Sequence, residues 1–210
     1  MPSRLESDEA LAAVLLQRAE QRRAAASEVV ASLQLMERWA EVGAPVLVGA
    51  VAYGVVVAPD VDLEIYCEQP RIEAGFGVVS QVAALPGVWK VRFSNELDGP
   101  DQGLYWQVRY RTAGEVWKVD MWLLANDHPG PKAIDAVEPM RRALTAETRA
   151  AILEIKEGLA GRYDVRSVDV YRAVLDNGVR SLGAFTEWHA RNASTGLLNW
   201  LPRAADGANG

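Results

Sequence analysis

The spacing of apolar residues changes twice along this chain of 210 residues, and these two changes limit the folds that the chain can adopt. From Leu5 to about Val42 the apolar residues recur at helical spacing. From Pro45 to about residue 124 they form short runs or alternate with polar residues, as they do in strands. After residue 131 the helical spacing returns. The sequence therefore predicts an α+β fold in which helices flank a mixed β-sheet.

The N-terminal region carries an apolar stripe that is interrupted once. Leu11, Val14 and Leu15 belong to its first part, and the stripe resumes at Val29. Polar and alanine residues fill the stretch 21–26 between the two parts. Because an amphipathic helix needs a continuous apolar face, we expect two helices here, or one helix with a kink at the interruption.

The central region predicts strands and one helix. The helix covers residues 72–85 and is ended by Pro86 and Gly87. The segment Thr112–Glu115 contains a glycine between two alternating stretches, which is typical of a β-hairpin turn. The predicted strands are 45–48, 61–67, 88–93, 104–111 and 116–124.

The last third of the chain predicts helices only, because strand-like alternation stops after the Pro- and Gly-containing stretch 126–131. Pro139 predicts a break or kink in the first of these helices. The predicted helices are 132–144, 146–159, 165–177 and 179–189. We therefore expect residues 1–130 to form an α/β core with an N-terminal helix, and residues 131–210 to form a C-terminal helical region.

Four residues are predicted to mark the ends of these helices. Thr145 and Ser167 stand near two of the starts, where a side-chain oxygen can accept a hydrogen bond from a free backbone N–H. Gly161 and Gly178 stand near two of the ends, where glycine readily adopts the positive φ that closes a helix.

The composition excludes several classes of protein. The chain has 22 Lys and Arg against 28 Asp and Glu, a net charge of -6, and it has no basic stripe, which makes a polynucleotide partner less favoured. One cysteine, Cys67, and two histidines exclude an intrachain disulfide, a Cys-x-x-Cys zinc site and a three-His metal site. Neither a signal-peptide pattern nor an apolar run of about eighteen residues is visible. We expect a cytoplasmic protein.

Two aspartates open the second predicted strand, shortly after the glycine-containing turn Val48–Gly54. Asp60 and Asp62 are two positions apart, so their side chains project from one face of the strand. Neighbouring carboxylates repel each other unless a cation lies between them. Mg²⁺ suits this arrangement, because it prefers a few carboxylate oxygens together with substrate phosphates. The pair is therefore a candidate magnesium site.

A third aspartate lies inside an otherwise apolar strand of the hairpin. Asp120 stands between Val119 and Met121. A carboxylate is costly to bury without a partner, so its presence in such a strand needs a reason. A metal ion shared with the other two aspartates is one such partner. An ion pair with Lys118, or with Arg109 across the hairpin, is the other.

These residues together resemble the nucleotidyltransferase superfamily, which includes DNA polymerase β, poly(A) polymerases, aminoglycoside nucleotidyltransferases and small MNT-type proteins. The pattern of that superfamily is a glycine turn, an Asp-x-Asp pair and a third carboxylate on a neighbouring strand. Gly49, the pair Asp60 and Asp62, and Asp120 match this pattern over the stretch 46–124. The resemblance implies a nucleotidyltransferase-like mixed sheet.

The resemblance also implies a metal-dependent transferase. Asp60, Asp62 and Asp120 would bind two Mg²⁺ (or Mn²⁺) ions that hold the triphosphate of an NTP substrate. Asp120 would lie nearest the acceptor hydroxyl and would accept or orient its proton. The enzyme would transfer a nucleoside monophosphate to that hydroxyl and release pyrophosphate. The acceptor, a small molecule or a protein side chain, stays open.

The contacts to the nucleotide follow from the same resemblance. Gly49 and the backbone amides around Ala50 would cradle phosphate oxygens, and Gly54 would complete a G-x-x-x-x-G turn. Lys118 is a candidate phosphate ligand, or otherwise a charge on the strand surface. Trp122 is a candidate platform for base stacking.

The sequence departs from the small bacterial members, which read Gly-Ser-x-Ala-Arg-Gly and then Ser-Asp-x-Asp. Ala50, Tyr53 and Pro59 stand where those proteins have the first Ser, the Arg and the last Ser. Each lost hydrogen bond to a charged group is worth about 1.5–3 kcal/mol. The alternative is therefore a degenerate, non-catalytic protein of this fold that binds a nucleotide or another protein.

Three further hypotheses concern the surroundings of the site. Arg109 and Arg111 are candidates for contacts with phosphate or with the acceptor. The C-terminal helices are candidates for the contact of a homodimer. An Asp-x-Asp pair also binds a metal in sugar-nucleotide glycosyltransferases, and a doubly wound parallel sheet would favour that class instead.

Overall fold

The computed structural model describes residues 4–160, 165–196 and 199–202, and within these residues a five-stranded sheet is flanked by helices. The strands are β1 (Ala44–Val48), β2 (Asp60–Cys67), β3 (Val88–Asn95), β4 (Gly103–Thr112) and β5 (Glu115–Ala125). The helices are α1 (Arg4–Ser32), α2 (Leu35–Trp39), α3 (Gly49–Tyr53), α4 (Ile72–Ala83), α5 (Ala133–Ala143), α6 (Ala146–Gly158), α7 (Ser167–Asn177) and α8 (Leu182–Asn192).

The sheet is mixed, as the sequence predicts. Its strand order is β1-β2-β5-β4-β3, in which β2 runs parallel to β5 and all other neighbours are antiparallel. In the parallel pair, Asp62 lies opposite Asp120. The hairpin therefore lies beside the strand of the Asp-x-Asp pair. This sheet is not doubly wound and parallel, which argues against the glycosyltransferase hypothesis.

The β4–β5 hairpin turns on two residues. Ala113 and Gly114 have φ angles of 48° and 80°, so both central positions are left-handed. That conformation is the type I′ turn, whose twist matches the twist of paired strands. Thr112 pairs with Glu115 on either side of the turn, which confirms the predicted hairpin.

One face of the sheet packs against α1, α2 and α4 and forms the first apolar core. Trp39, Trp106 and Trp117 are buried there, and the ring centroids of Trp39 and Trp106 are 5.8 Å apart. Gly75 of α4 makes this packing feasible, because a Cβ atom at that position would lie 2.1 Å from the Trp106 ring. On the sheet side, the residues of this core are the apolar positions of the alternating strands.

A second apolar core joins the C-terminal helices to the N-terminal region. It contains Leu15 of α1, Ile152 and Ile155 of α6, and Phe185 of α8. Helix α1 contributes to both cores, since it also buries Val29 in the first one. The boundary predicted at residue 130 stays a prediction. Among the described helices, none combines the length and the hydropathy needed to cross a bilayer.

The N-terminal region forms two helices, but the break lies elsewhere than predicted. Helix α1 continues through residues 21–26. Alanine is the strongest helix former, so the alanines that interrupt the apolar stripe do not interrupt the helix. The chain breaks at Gln34, which has a left-handed conformation with φ 52° and precedes α2.

The C-terminal helices agree with prediction apart from two details. Helix α5 is not broken at Pro139, which lies inside it. Thr145 caps α6 through its side chain as predicted, whereas Ser167 is the first helical residue of α7 and not its cap. Gly178 ends α7 with φ 65°, as predicted. The predicted helix end at Gly161 lies outside the described residues.

Candidate metal and nucleotide site

The three aspartates singled out by the sequence lie together on one face of the sheet. Asp60 and Asp62 lie on β2, and Asp120 lies on the parallel neighbour β5. One carboxylate oxygen from each lies within 4.8 Å of one from each of the others. The parallel register makes this cluster, since it sets Asp62 directly beside Asp120. Their role as metal ligands stays a prediction.

Lys118 lies between two of these carboxylates. Its Nζ atom is 2.8 Å from Asp60 Oδ2 and 2.8 Å from Asp120 Oδ2. Burial by itself lowers the pKa of Lys118, but the hydrogen bonds and charges of the two aspartates outweigh burial and raise the pKa above its ordinary value. The ion pair that the sequence offered as an alternative partner for Asp120 is therefore present.

Asp120 accepts further hydrogen bonds from the neighbouring strand β4. The Tyr105 hydroxyl donates to Asp120 Oδ1 over 2.8 Å, and Gln107 Nε2 donates to the same atom over 3.1 Å. Burial, together with the neighbouring Asp120 carboxylate, raises the pKa of Tyr105 to about 12. With Lys118, these contacts hold the Asp120 side chain from three sides. Neither Tyr105 nor Gln107 could be recognised as part of the site from the sequence pattern.

Asp62 differs from Asp120 in having no hydrogen bond to its carboxylate from any described residue. Burial, together with the charges of Asp60 and Asp120, raises the pKa of Asp62 to about 7. Burial also raises the pKa of Asp60, although the Lys118 contact opposes this effect. The free carboxylate of Asp62 is therefore held in a negative, partly dehydrated environment.

The donor set suits a hard divalent cation. Asp60 Oδ1 is buried and has no hydrogen-bond partner, and a buried polar atom of this kind calls for a ligand. Asp62 adds a second carboxylate that is free of donors. Oxygen ligands from carboxylates are those that Mg²⁺ and Mn²⁺ prefer. Asp60 and Asp62 are thus the two side chains best able to hold such an ion.

Gly49 is required next to this carboxylate pair for two reasons. Its φ is +64°, a conformation that L-residues adopt at a cost. A Cβ atom at this position would also lie 2.5 Å from Asp62 Oδ2. Because α3 begins at Gly49, the turn from β1 into α3 passes directly beside the aspartates.

A cleft of about 410 Å³ opens beside Asp60 and Asp62, within the range of small-molecule sites. On one side Ala50 and Tyr53 of α3 line it, together with Gly49. On the other side it is lined by residues that include Lys156, Ser167 and Tyr171. Asp60 and Asp62 therefore lie at the wall of a cleft between the sheet and the C-terminal helices.

Lys156 adds an ammonium group to this cleft that the sequence pattern did not predict. Its Nζ atom donates to the Val55 carbonyl over 3.0 Å and lies 3.5 Å from the Tyr171 hydroxyl. Burial lowers the pKa of Lys156 to about 8, although Asp62 and Asp60 oppose this shift. A lysine four positions after the buried Ile152 on the same helix was the available signal, because that spacing puts both on one face.

Other predicted residues lie outside this cleft. Gly54, with φ +70°, ends α3, and its α-carbon faces Arg149. The ring of Trp122 packs on Tyr105 with centroids 4.9 Å apart, next to a separate cavity of about 160 Å³. Arg109 lies opposite Lys118 on the sheet. Their predicted contacts with substrates stay predictions.

Arg111 also lies outside the cleft. Its guanidinium group lies 5.9 Å from the ring centroid of the exposed Trp89, at the outer part of the sheet. This contact is a cation–π interaction at an exposed site, which contributes little to stability.

Comparison with known proteins defines the fold. No family model and no curated protein matches this sequence. A cytoplasmic RNA terminal U-transferase has a TM-score of 0.50 at 15% identity over 76% of this chain and 46% of that one. The non-canonical poly(A) polymerase complex GLD-2–GLD-3 gives 0.49 at 12% identity over 89% and 66%. CdnC of E. coli MS115-1, solved with ATP, gives 0.44 at 14% identity over 82% and 66%.

The likeness to the U-transferase chain confirms the predicted fold class. The two chains share a fold, which in this protein is a mixed five-stranded sheet with flanking helices. The chain spans 46% of the length of the U-transferase chain that it resembles. At such low identity the likeness concerns the fold, and function is argued from the site.

Proposed function

We propose that this protein is a metal-dependent nucleotidyltransferase that moves a nucleoside monophosphate from an NTP to a hydroxyl group. The observation that carries this proposal is the cluster of Asp60, Asp62 and Asp120, with the carboxylates of the first two at a cleft between sheet and helices. Asp60 and Asp62 would hold a divalent ion, Mg²⁺ or Mn²⁺. That ion supplies positive charge to the phosphates of the substrate when it is bound.

Lys156 is the proposed ligand of the NTP phosphates from the helical side. It lines the same cleft as the aspartates, and its Nζ atom is held by the Val55 carbonyl. The sequence lacks the Ser and Arg that small bacterial members have at Ala50 and Tyr53. An ammonium group that reaches the cleft from α6 supplies a charged donor that compensates for part of this loss.

Asp120 is the proposed partner of the acceptor hydroxyl. Its carboxylate is fixed by Tyr105, Gln107 and Lys118, so it is oriented before a substrate arrives. A carboxylate held in this way can orient a hydroxyl or accept its proton as the new phosphate ester bond forms. Preorganisation of this kind lowers the cost of aligning the reacting groups.

The charge of the adjoining sheet surface favours an acceptor that is itself negatively charged. Arg109 lies opposite Lys118, and Lys90 and Arg92 lie on the next strand of the same face. Among the described residues, none of Lys90, Arg92 and Arg109 has a carboxylate partner. The RNA named for the U-transferase is one such acceptor, and a phosphorylated small molecule is another.

A second cavity supports a position for the nucleoside. This cavity of about 240 Å³ shares Tyr53 and Tyr171 with the main cleft, and Trp200 is also among its lining residues. Aromatic side chains stack on nucleobases with little regard to sequence. The proposed base position therefore lies beside Trp200.

The proposal is tested by thermal unfolding with each of the four NTPs, in the presence and absence of Mg²⁺ or Mn²⁺. A nucleotide at one hundred times its dissociation constant should stabilise the native protein by about 2.7 kcal/mol. We expect this effect only when metal is present. The variant Asp62→Asn should lose it without becoming less stable itself, because Asp62 is buried among like charges.

The matched control is Glu64→Gln, two positions along the same face of β2. Its carboxylate binds backbone N–H groups of α5 and lies outside the aspartate cluster, so metal-dependent stabilisation should persist. An NTP that stabilises Asp62→Asn as strongly as the wild type would contradict the site. The absence of stabilisation by any NTP would contradict the function.

One observation favours a second candidate, a non-catalytic nucleotide-binding protein. Tyr53 replaces the expected Arg, and its ring packs edge-on against Tyr171 with centroids 5.8 Å apart. This candidate predicts metal-dependent NTP binding without release of pyrophosphate under any condition. Pyrophosphate release that depends on Asp62 would exclude it.

A further inference from the structure

The position of Lys118 is unusual because an ammonium group lies where a metal ion is expected. Its Nζ atom is 2.8 Å from a carboxylate oxygen of Asp60 and 2.8 Å from one of Asp120. The resemblance implies two metal ions on Asp60 and Asp62, one of which Asp120 shares, so that one ion would join Asp60 to Asp120. In this chain a side chain of the protein joins them instead.

The strand register places Lys118 next to both Asp60 and Asp120. Lys118 lies opposite Asp60 in the parallel β2–β5 register and two positions before Asp120 on the same strand. Lys118 Nζ therefore lies within reach of both carboxylates from a position on the same sheet face. Its side chain is 28% exposed, which is low for a lysine and reduces the screening of its charge.

The remaining hydrogen-bonding capacity of the aspartates is unequal. An ionised carboxylate has roughly four lone-pair sites, and Asp120 already accepts from Tyr105, Gln107 and Lys118. Asp60 keeps Oδ1 without a partner. The oxygens that remain open to a metal are therefore concentrated on Asp60 and Asp62.

We propose that the Lys118 ammonium group replaces one of the two divalent ions, so that the site binds a single ion, on Asp60 and Asp62. The inference rests on the proposed function only in treating the cluster as a metal site. Lys118 stabilises the charge of Asp120 and fixes its orientation, and it acts as a positioning residue for the acceptor side. The charges agree with this assignment, since Lys118 and Lys156 offset two of the three carboxylates and a second divalent ion would meet net positive charge.

The experiment counts the Mn²⁺ ions bound per chain by electron paramagnetic resonance, with Mn²⁺ as the only added ligand. The wild type should bind one ion. The variant Lys118→Met, which keeps an unbranched side chain one atom shorter and removes its charge, should bind two. Two ions about 3.5–4 Å apart couple magnetically, so the variant should also show the spectrum of a pair.

Two further variants complete the design. Lys90→Met removes an exposed ammonium group from the same sheet face and should leave the count at one. Lys118→Gln retains a polar group and replaces Lys118→Met in the count should that variant fail to fold. A wild type that binds two ions, or a Lys118 variant that still binds one, overturns the inference.

The Mn²⁺ count and the thermal unfolding measurement with NTPs together distinguish a failure of this inference from a failure of the proposed function. One ion in the wild type and two in Lys118→Met, without stabilisation by any NTP, would support the role of Lys118 and contradict the transferase. Stabilisation by an NTP, with two ions bound to the wild type, would support the transferase and contradict the role of Lys118. A wild type that binds no Mn²⁺ would contradict both.

Discussion

The two faces of the sheet are made of the same strands but differ in chemistry. On β5, Trp117, Val119 and Met121 are buried under the helices, whereas Lys118 and Asp120 between them face the site. On β2 the same alternation separates the buried Val61 and Leu63 from Asp60 and Asp62. One set of residues holds the fold together, and the other set is available for chemistry.

Alternate positions of one strand therefore carry the packed apolar residues and the charged residues of the candidate site. The apolar face stabilises the sheet by removing surface from water. The polar face concentrates three carboxylates, which repel each other and oppose folding unless cations offset them. The apolar face must therefore be strong enough to hold the carboxylates in place.

We expect the greatest loss of stability from a substitution on the apolar face. The variant Trp106→Ala removes a fully buried ring that contacts Trp39 and should lower the free energy of unfolding by about 3–5 kcal/mol. Arg111→Ala, on the opposite face of the same strand, should cost less than about 1 kcal/mol. Urea denaturation of both variants checks this, and equal losses would mean that the two faces do not differ as described.

The next largest loss of stability is expected at Glu64, an acidic residue of the polar face whose hydrogen bonds stabilise the fold. Glu64 accepts hydrogen bonds from the backbone N–H groups of Ala133 and Ile134, each over 2.9 Å, at the start of α5. An amide at this position cannot accept both, so Glu64→Gln should cost about 1–3 kcal/mol. Denaturation measures this cost, and Mn²⁺ binding should not change. A variant that loses Mn²⁺ but not stability would place Glu64 with the aspartates.

A smaller effect is expected where the backbone approaches the aspartates. Gly49→Ala should cost about 1–2 kcal/mol, because an alanine with φ near +64° is strained. The new methyl group would also displace the Asp62 carboxylate, so Mn²⁺ binding should weaken. Gly114→Ala is the matched control, since its φ is also positive and nothing lies within 4 Å of the added atom. Equal Mn²⁺ affinity in the two variants would show that Gly49 has no role at the metal site.

A pH dependence of stability is expected from Lys156. Its pKa is about 8 in the folded protein and 10.5 ordinarily, because burial disfavours its charged form. Between these values the unfolded chain binds more protons, so the stability of the wild type should rise with pH relative to Lys156→Met. One proton limits the slope to about 1.4 kcal/mol per pH unit. The groups that face Lys156 are the Val55 carbonyl, Asp60, Asp62 and Tyr171.

Denaturation of the wild type and of Lys156→Met from about pH 8 to about pH 10 measures this difference. Other titrating groups are common to both proteins and cancel in the comparison. Two stability curves that stay parallel over this range would mean that Lys156 keeps its ordinary pKa in the folded protein.

Much of the sheet could be predicted because its strands alternate with a period of two. The hairpin turn and the five strands agree with the structure to within a few residues. The break in the N-terminal helices was misplaced, since a gap in the apolar stripe does not lower helix propensity when alanine fills it. Gln34, where the chain does break, is not a residue type that ends helices by itself.

The aspartates could be identified by pattern, but their environment could not. The sequence offers Lys118 as an ion-pair partner of Asp120, but neither spacing nor composition predicts that Lys118 also contacts Asp60. The Lys156 ammonium group comes from a helix far along the chain, and only the packing of α6 near the turn after β1 brings it to the cleft. Contacts between distant segments depend on tertiary packing, which one sequence does not reveal.

The alternation between an apolar and a polar face follows from the sequence alone, because strand geometry directs successive side chains to opposite sides. The shared face of Asp60 and Asp62 follows in the same way. The tertiary structure sets Asp62 beside Asp120 through the β2–β5 register, brings Lys118 to two of the carboxylates, and brings Lys156 to the cleft of Asp60 and Asp62. Charge interactions depend on distances of a few ångströms, and the packing of separate elements sets those distances.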